Sequence, residues 1–529
     1  MALADSISVI AQSSATWLAD FRTVASTWSY AKIFGVVSAV AAIHAISRAV
    51  YLTFFHPLSK FPGPRIAAVS NIYYAVKWLS GRYPMACQKL FEQYGPVVRI
   101  APNELVFSGT QSYYDIHASA VRNRETFVKT KFQDIGEKEP GVTAERDPEV
   151  HREVARKLRP AFSPRSLKAQ EPTLNSHVDE LIDRINTHGT TGRGINFLEW
   201  MDRYSWDVAA NMAYGREFHQ VRDTKTSSFL QTFQRVGPLG TVVQVFSRFP
   251  LLRPLGLLFV PPSVVKTLPT LLRMNRQEVR SRMARKDNLL HPDYMQHLVP
   301  EEKSEGGGPV EEMPTEDWLV AQANVLVLAG FDPLTNVMVA VMYYLCRSPD
   351  KLRRLTEEIR GAFTSYSDIN VDALQSFKYL QAVLEECLRI HTNAAFGLPR
   401  LCPGATIDGY HVPEGTVVQT CHYATTHDEK NFAMPYEFHP ERFLPETHPL
   451  YDARFSNDNK KAFVPFSSGP RGCPGYNAAY MQLRLTLAKM FWTFDVELTN
   501  GDTLDWERDL RMYAVWIRPE VWVRFTKVQ

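Results

Sequence analysis

The sequence lacks paired cysteines. Its six, Cys87, Cys346, Cys387, Cys402, Cys421 and Cys473, are scattered and form no CxxC spacing, which argues against a disulfide framework and a zinc site. No glycine-rich dinucleotide or phosphate loop is present, so a nucleotide cofactor has no recognisable cradle. No internal repeat marks a solenoid or propeller. Excess charge is missing too: 59 Lys and Arg against 56 Asp and Glu leave +3 over 529 residues, too little to point to nucleic acid. What remains is a chain with 45% hydrophobic and 22% charged residues, in the range of a large globular core.

One stretch organises the rest. Phe466-Ser467-Ser468-Gly469-Pro470-Arg471-Gly472-Cys473-Pro474-Gly475 is a glycine-punctuated loop that runs into a helix-like segment, Tyr476 to Trp492. The glycines allow backbone N–H groups to approach and point at the sulfur, and the helix brings its positive end beside it, favouring the thiolate. Cys473 therefore reads as an iron ligand. Arg471 is placed to pair with a carboxylate of a macrocycle, Phe466 offers an apolar face, and Gly475 opens the helix. These residues at these spacings resemble the haem-binding loop of the cytochrome P450 superfamily.

The long apolar pattern from Thr315 to Ser348 predicts one helix, with Thr315 as cap and Glu316 and Asp317 in its first turn. Within it Ala329-Gly330-Phe331-Asp332-Pro333-Leu334-Thr335 resembles the oxygen-binding motif of that family. The resemblance implies that Ala329 and Gly330 open room for dioxygen and that Asp332 feeds protons. The family's hydroxyl after the acid is replaced by Pro333, which also frees the carbonyl of Ala329 and should kink the helix. Thr335, Asn336 or a water on the freed carbonyl can stand in for it. Alternatively the substrate is oxidised by coupling, cyclisation or desaturation without net oxygen insertion.

Glu386 and Arg389 stand at i and i+3 on one helix face. With Arg442 of Pro440-Glu441-Arg442-Phe443, they resemble the family's buried Glu-Arg-Arg cluster. The segment Asn393 to Arg400 resembles the strand beside the substrate, which implies that Phe396 and Leu398, together with Phe331, face the pocket and that Arg400 binds a haem propionate. The resemblance also implies that His151, with Arg156, holds haem propionates, although the family's arginine position is Ala155 here. Two hairpins are expected, one from Tyr94 to Phe107 and one from Ile407 to Val418.

Trp28 to Ser47 is mostly apolar and near the length of a spanning helix, with Arg48, Lys60 and Arg65 following on the cytosolic side. The Pro-rich stretch from His56 to Pro64 resembles the hinge of membrane-bound members. The variable segment Arg122 to Glu145 is expected to cover the substrate, Phe246 to Val260 to touch the membrane, and Lys303 to Met313 to be a flexible acidic linker. The division is then a tail (1–27), an anchor and start of hinge (28–60) and a haem domain (61–529), mainly α with a small β region. The resemblance implies haem b on the Cys473 thiolate and electrons from NADPH through a separate diflavin reductase, with cytochrome b5 as an admissible second donor. It also implies a single-pass anchor in the endoplasmic reticulum and a small lipophilic substrate in fungal secondary metabolism. A haem sensor or carrier without enzymatic activity is the alternative from another class.

Overall fold

The computed structural model describes residues 30–121, 124–134, 138–236, 238–285, 291–299 and 313–528. Trp28 and most of the acidic linker lie outside them. The fold is mainly helical, with small sheets at its edges. The helices that matter for the site are α1 (Tyr30–Val50), α2 (Pro148–Leu158), α3 (Pro164–His188), α4 (Phe197–Tyr214), α5 (Ser228–Val236), α6 (Pro262–Arg285), α7 (Glu316–Cys346), α8 (Lys378–Ile390) and α9 (Tyr476–Thr493).

Helix α7 is the axis of the domain. The Thr315 hydroxyl accepts from the Trp318 N–H at 3.2 Å, as an N-cap does, and the helix runs unbroken through Pro333. It is apolar enough to cross a membrane, yet most of it is buried among α4, α6, α8 and α9. Burial on all sides is what a helix without a strong polar face requires. Its closest partner is α4. A Cβ added to Gly330 would stand 3.1 Å from the Ala209 Cβ, so the missing side chain lets the two helices touch. Near the start of α7, Gln322 accepts from the Val142 N–H at 2.8 Å and donates to the Pro140 carbonyl at 3.1 Å, fastening part of the variable segment onto the helix.

The main sheet has strands β1 (Val97–Ala101), β2 (Glu104–Phe107), β3 (Val128–Lys129), β4 (Arg400–Leu401) and β5 (Val417–Thr420), in the order β1-β2-β5-β4-β3. The first hairpin forms as expected, with β1 antiparallel to β2. The second is shorter: Ala405–Ile407 pairs with Tyr410–Val412, after which the Pro413–Gly415 turn sends β5 away to lie between β2 and β4.

Helix α1 continues through Tyr51–Phe55 into an apolar helix of 26 residues, and α1 itself has no buried residue. It is long enough to span a bilayer. Between residues 246 and 260 the prolines divide the chain into a helix end and a short 3-10 stretch, Pro250–Phe259, in which Leu251, Leu255, Leu258 and Phe259 are exposed.

Two of the residues expected at the pocket are buried among aromatic rings. Phe331 packs edge-on against Trp206 and Phe233, with ring centres 5.5 and 6.2 Å away. Phe396 lies in an aromatic cluster with Trp78 at 4.8 Å and Phe132 at 5.6 Å. Both are under 10% exposed: a large ring next to other large rings gains more by excluding water than by lining a groove. Leu398 is half-buried against the same core. Replacing Phe331 or Phe396 by Ala should cost about 3–5 kcal/mol, seen as a lower unfolding midpoint with an unchanged product profile. An altered profile at an unchanged midpoint would return that residue to the pocket.

Candidate active site

The cysteine loop is held from several directions. The Cys473 N–H donates to the Phe466 carbonyl at 2.8 Å and the Gly472 N–H to the Gly469 carbonyl at 3.1 Å. Gly469 adopts φ +75°, and an added Cβ would stand 2.7 Å from the Ala118 Cα, so only glycine serves there. The Tyr113 hydroxyl accepts from the Ser468 N–H at 2.8 Å and bonds the Ser467 hydroxyl at 2.8 Å. The Phe466 ring lies tilted against Tyr480, with ring centres 5.2 Å apart. Cys473 keeps accessible surface while the surrounding protein crowds its sulfur. That desolvation pushes the thiol up, and the Gly475 N–H, donating to the sulfur at the mouth of α9, pulls it down. Cationic iron would complete the shift toward thiolate.

Behind the loop lies a buried ion cluster. Glu386 and Arg389, one turn apart on α8, meet in two hydrogen bonds of 2.7 and 2.8 Å, and Arg442 Nε stands 3.0 Å from the same carboxylate. All three side chains have no exposed surface. Arg389 also donates to the carbonyls of Thr426, Pro435 and Glu437. Arg442 reaches Asp458 and the Ala433 carbonyl.

A concentration of positive charge adjoins the loop. Arg400 and Lys129 are buried and stand directly opposite each other across β3 and β4; Arg400 donates to the Phe127 carbonyl at 3.3 Å and Lys129 to the Thr143 carbonyl. His117 is beside them. Burial first, then Arg400, His422 and Lys129, hold its ring well below the usual imidazole range. The His117 carbonyl lies against Gly469, and Arg471 donates to the Glu145 carbonyl at 2.6 Å. Arg400, Lys129 and Arg471 suit the two carboxylates of a haem edge. Among the described residues no three His, Cys, Asp or Glu side chains converge on a metal position, and a lone thiolate fits an iron whose other ligands come from the macrocycle. The residues present therefore fit haem. Lys129 and His117 were not among the sequence candidates; the β3–β4 register, invisible without the fold, brings Lys129 to Arg400. Arg156 does not join them. Helix α2 buries Val154 and Leu158, so Arg156, two residues from each, falls on the outer face and is exposed. His151 is half-buried on the same helix.

On α7, Leu328 and Ala329 are exposed on one side of the helix. Gly330 is spent on the α4 contact. Thr335 has no exposed surface and its hydroxyl donates to the Met201 carbonyl on α4 at 3.2 Å. Asn336 is buried too; its carbonyl is 2.8 Å from His391 Nε2, and its amide donates to Asn393, which donates to the Pro333 carbonyl at 3.2 Å. Asp332 is paired with Arg518 at 3.0 Å, a partner more than 180 residues away that no local pattern announces.

A solitary cysteine in a braced glycine loop, beside buried cations, defines the haem-thiolate class of proteins. Comparison with known proteins gives the family. The Cytochrome P450 family matches residues 62–519, and the chain belongs to it. It is similar to the cytochrome P450 monooxygenases TwmD of Talaromyces wortmannii (39% identity, covering 90% of this chain and 93% of that protein), poxC of Penicillium oxalicum (39%, 91% and 92%) and BOA3 of Botryotinia fuckeliana (36%, 93% and 96%).

Removing Glu386 leaves two buried guanidiniums without their shared carboxylate, a loss of about 3–5 kcal/mol. Glu386→Ala should yield protein deficient in bound haem, measured as the ratio of haem to protein after purification. Full haem content at wild-type thermal stability would contradict that role for the cluster.

Proposed function

We propose that the protein is a membrane-anchored monooxygenase that oxidises a small lipophilic metabolite in fungal secondary metabolism. The observation that carries this reading is the Cys473 loop, with its Gly475 N–H on the sulfur and the buried Arg400–Lys129 pair nearby. Haem b would be held by Cys473, with Arg400, Lys129, His117 and Arg471 around its carboxylates; when bound, a thiolate-ligated haem activates dioxygen for oxidation of unreactive carbon positions. The cysteine loop keeps the sulfur immobile and shielded. Ala329 contributes a small exposed surface on α7, and Asp332, three residues further on, is the acid that would handle protons beside it. Phe466 covers the proximal side.

Electrons come from NADPH through a diflavin reductase, with cytochrome b5 as a second donor, since the chain has no nucleotide loop of its own. The exposed apolar helix Tyr30–Phe55 anchors the domain in the endoplasmic reticulum with the catalytic body in the cytosol, and the exposed leucines of 251–258 add a second contact with the lipid surface. A second reading is favoured by one observation. The position after Asp332 is proline, and the Thr335 hydroxyl is committed to Met201, so proton delivery differs from the family pattern and the same site suits coupling, cyclisation or desaturation.

The test is turnover with added reductase, NADPH and isotopically heavy dioxygen against a panel of lipophilic metabolites, followed by product mass analysis. One heavy oxygen in the product is expected for monooxygenation; a dimer or the loss of two hydrogens supports the second reading. Substrate binding without any substrate-dependent NADPH consumption would overturn both in favour of a sensor or carrier.

A further inference from the structure

Arg518 follows the short strand Val515–Ile517 and donates to Asp332 twice, at 3.0 Å to the carboxylate and at 3.2 Å to the main-chain carbonyl. The nitrogen that reaches the carboxylate also lies 3.7 Å from Oδ1 of Asp202 on α4. That oxygen is buried and has no hydrogen-bond partner among the described residues, whereas Oδ2 accepts from Gln234 on α5 at 2.8 Å. The Arg518, Asp202 and Asp332 side chains are 8%, 10% and 15% exposed. One guanidinium thus stands between two shielded carboxylates, and an interior tolerates a balanced pair far better than a surplus charge.

The groups that face Asp202 are Arg518, Asp332 and Thr335 of α7, and Gln234. Burial raises Asp202 to about 7, opposed by Arg518 and reinforced by Asp332. His391, on the other side of Arg518, is lowered to about 3 by burial and then by Arg518, so it stays neutral across the same range.

We propose that Arg518 and Asp202 are positioning residues for the distal acid: Arg518 clamps Asp332 while Asp202 is protonated, and ionisation of Asp202 draws Arg518 away and releases Asp332. This rests on the reading of Asp332 as the acid that handles protons. The sign follows from the charges. Raising the pH through about 7 ionises Asp202, puts two anions on one cation and weakens the hold on Asp332; lowering it restores the neutral pair and the clamp.

Asp202→Asn fixes the clamped arrangement at every pH. In the haem-loaded protein with reductase, the peroxide released per NADPH consumed should rise several-fold above neutrality in this variant, and its pH dependence should flatten. Arg518→Lys, which keeps the charge with a single donor head, should give intermediate coupling. Independently of turnover, infrared difference spectra of the wild type should show protonated-carboxyl absorption lost as the pH rises through about 7 from both Asp202 and Asp207, which burial also raises to about 7, and Asp202→Asn should lack the Asp202 component. No Asp202 component in the wild type, or wild-type coupling and pH profile in Asp202→Asn, overturns the proposal. If Asp332→Asn alters coupling while Asp202→Asn does not, the clamp is wrong and the role of Asp332 stands; if neither alters it, that role falls as well.

Discussion

Glu386 carries its charge with no exposed surface, and an ionised carboxylate survives there only because two guanidiniums enclose it. Those guanidiniums do more than neutralise. Arg389 gathers three carbonyls from the 426–437 stretch. Arg442 reaches on to Asp458, whose carboxylate accepts from the Ala433 N–H at 2.8 Å. The next residue, Asn459, donates its N–H to the Asn431 carbonyl at 2.7 Å and its side chain to Thr110 at 3.1 Å. From there the chain enters the cysteine loop. The position of Cys473 is thus set by a series of polar contacts that begins at one buried carboxylate on α8.

The two sides of the site are built by different means. The cysteine side is rigid by backbone: positive φ at Gly469, N–H groups turned inward, and the Tyr113 hydroxyl clamping the loop. The opposite side is governed by charge. Pro333 removes a hydroxyl and a backbone donor, the Thr335 hydroxyl is used to fasten α7 to α4, and the polar chain through Asn336, Asn393 and His391 ends on the Pro333 carbonyl. With hydroxyls committed elsewhere, the Asp332 carboxylate and its Arg518 partner become the main polar feature of that region.

The sequence showed most clearly the features fixed by short spacing. The cysteine loop, the i, i+3 pair Glu386 and Arg389, the cap at Thr315 and the first hairpin were all legible because each depends on residues a few positions apart. Side-chain direction was not. Phe331 sits beside Gly330 and Asp332 yet faces Trp206, and Phe396 stands four residues before Arg400 yet faces Trp78, because packing between distant helices decides which side of an element is buried. The exposure of Arg156 has a related cause: its neighbours on α2, Val154 and Leu158, claim the inner face. The Lys129–Arg400 register and the Arg518–Asp332 pair join residues hundreds of positions apart, where one sequence carries no signal.

The proposed chemistry depends on the sulfur of Cys473 as the iron ligand, and the absorption spectrum of the reduced haem protein under carbon monoxide reads that ligand directly. The wild type should show the red-shifted band of a thiolate-ligated haem, and Cys473→Ser should lose that band. Persistence of the same band in Cys473→Ser, or a wild-type spectrum typical of histidine ligation, would contradict it.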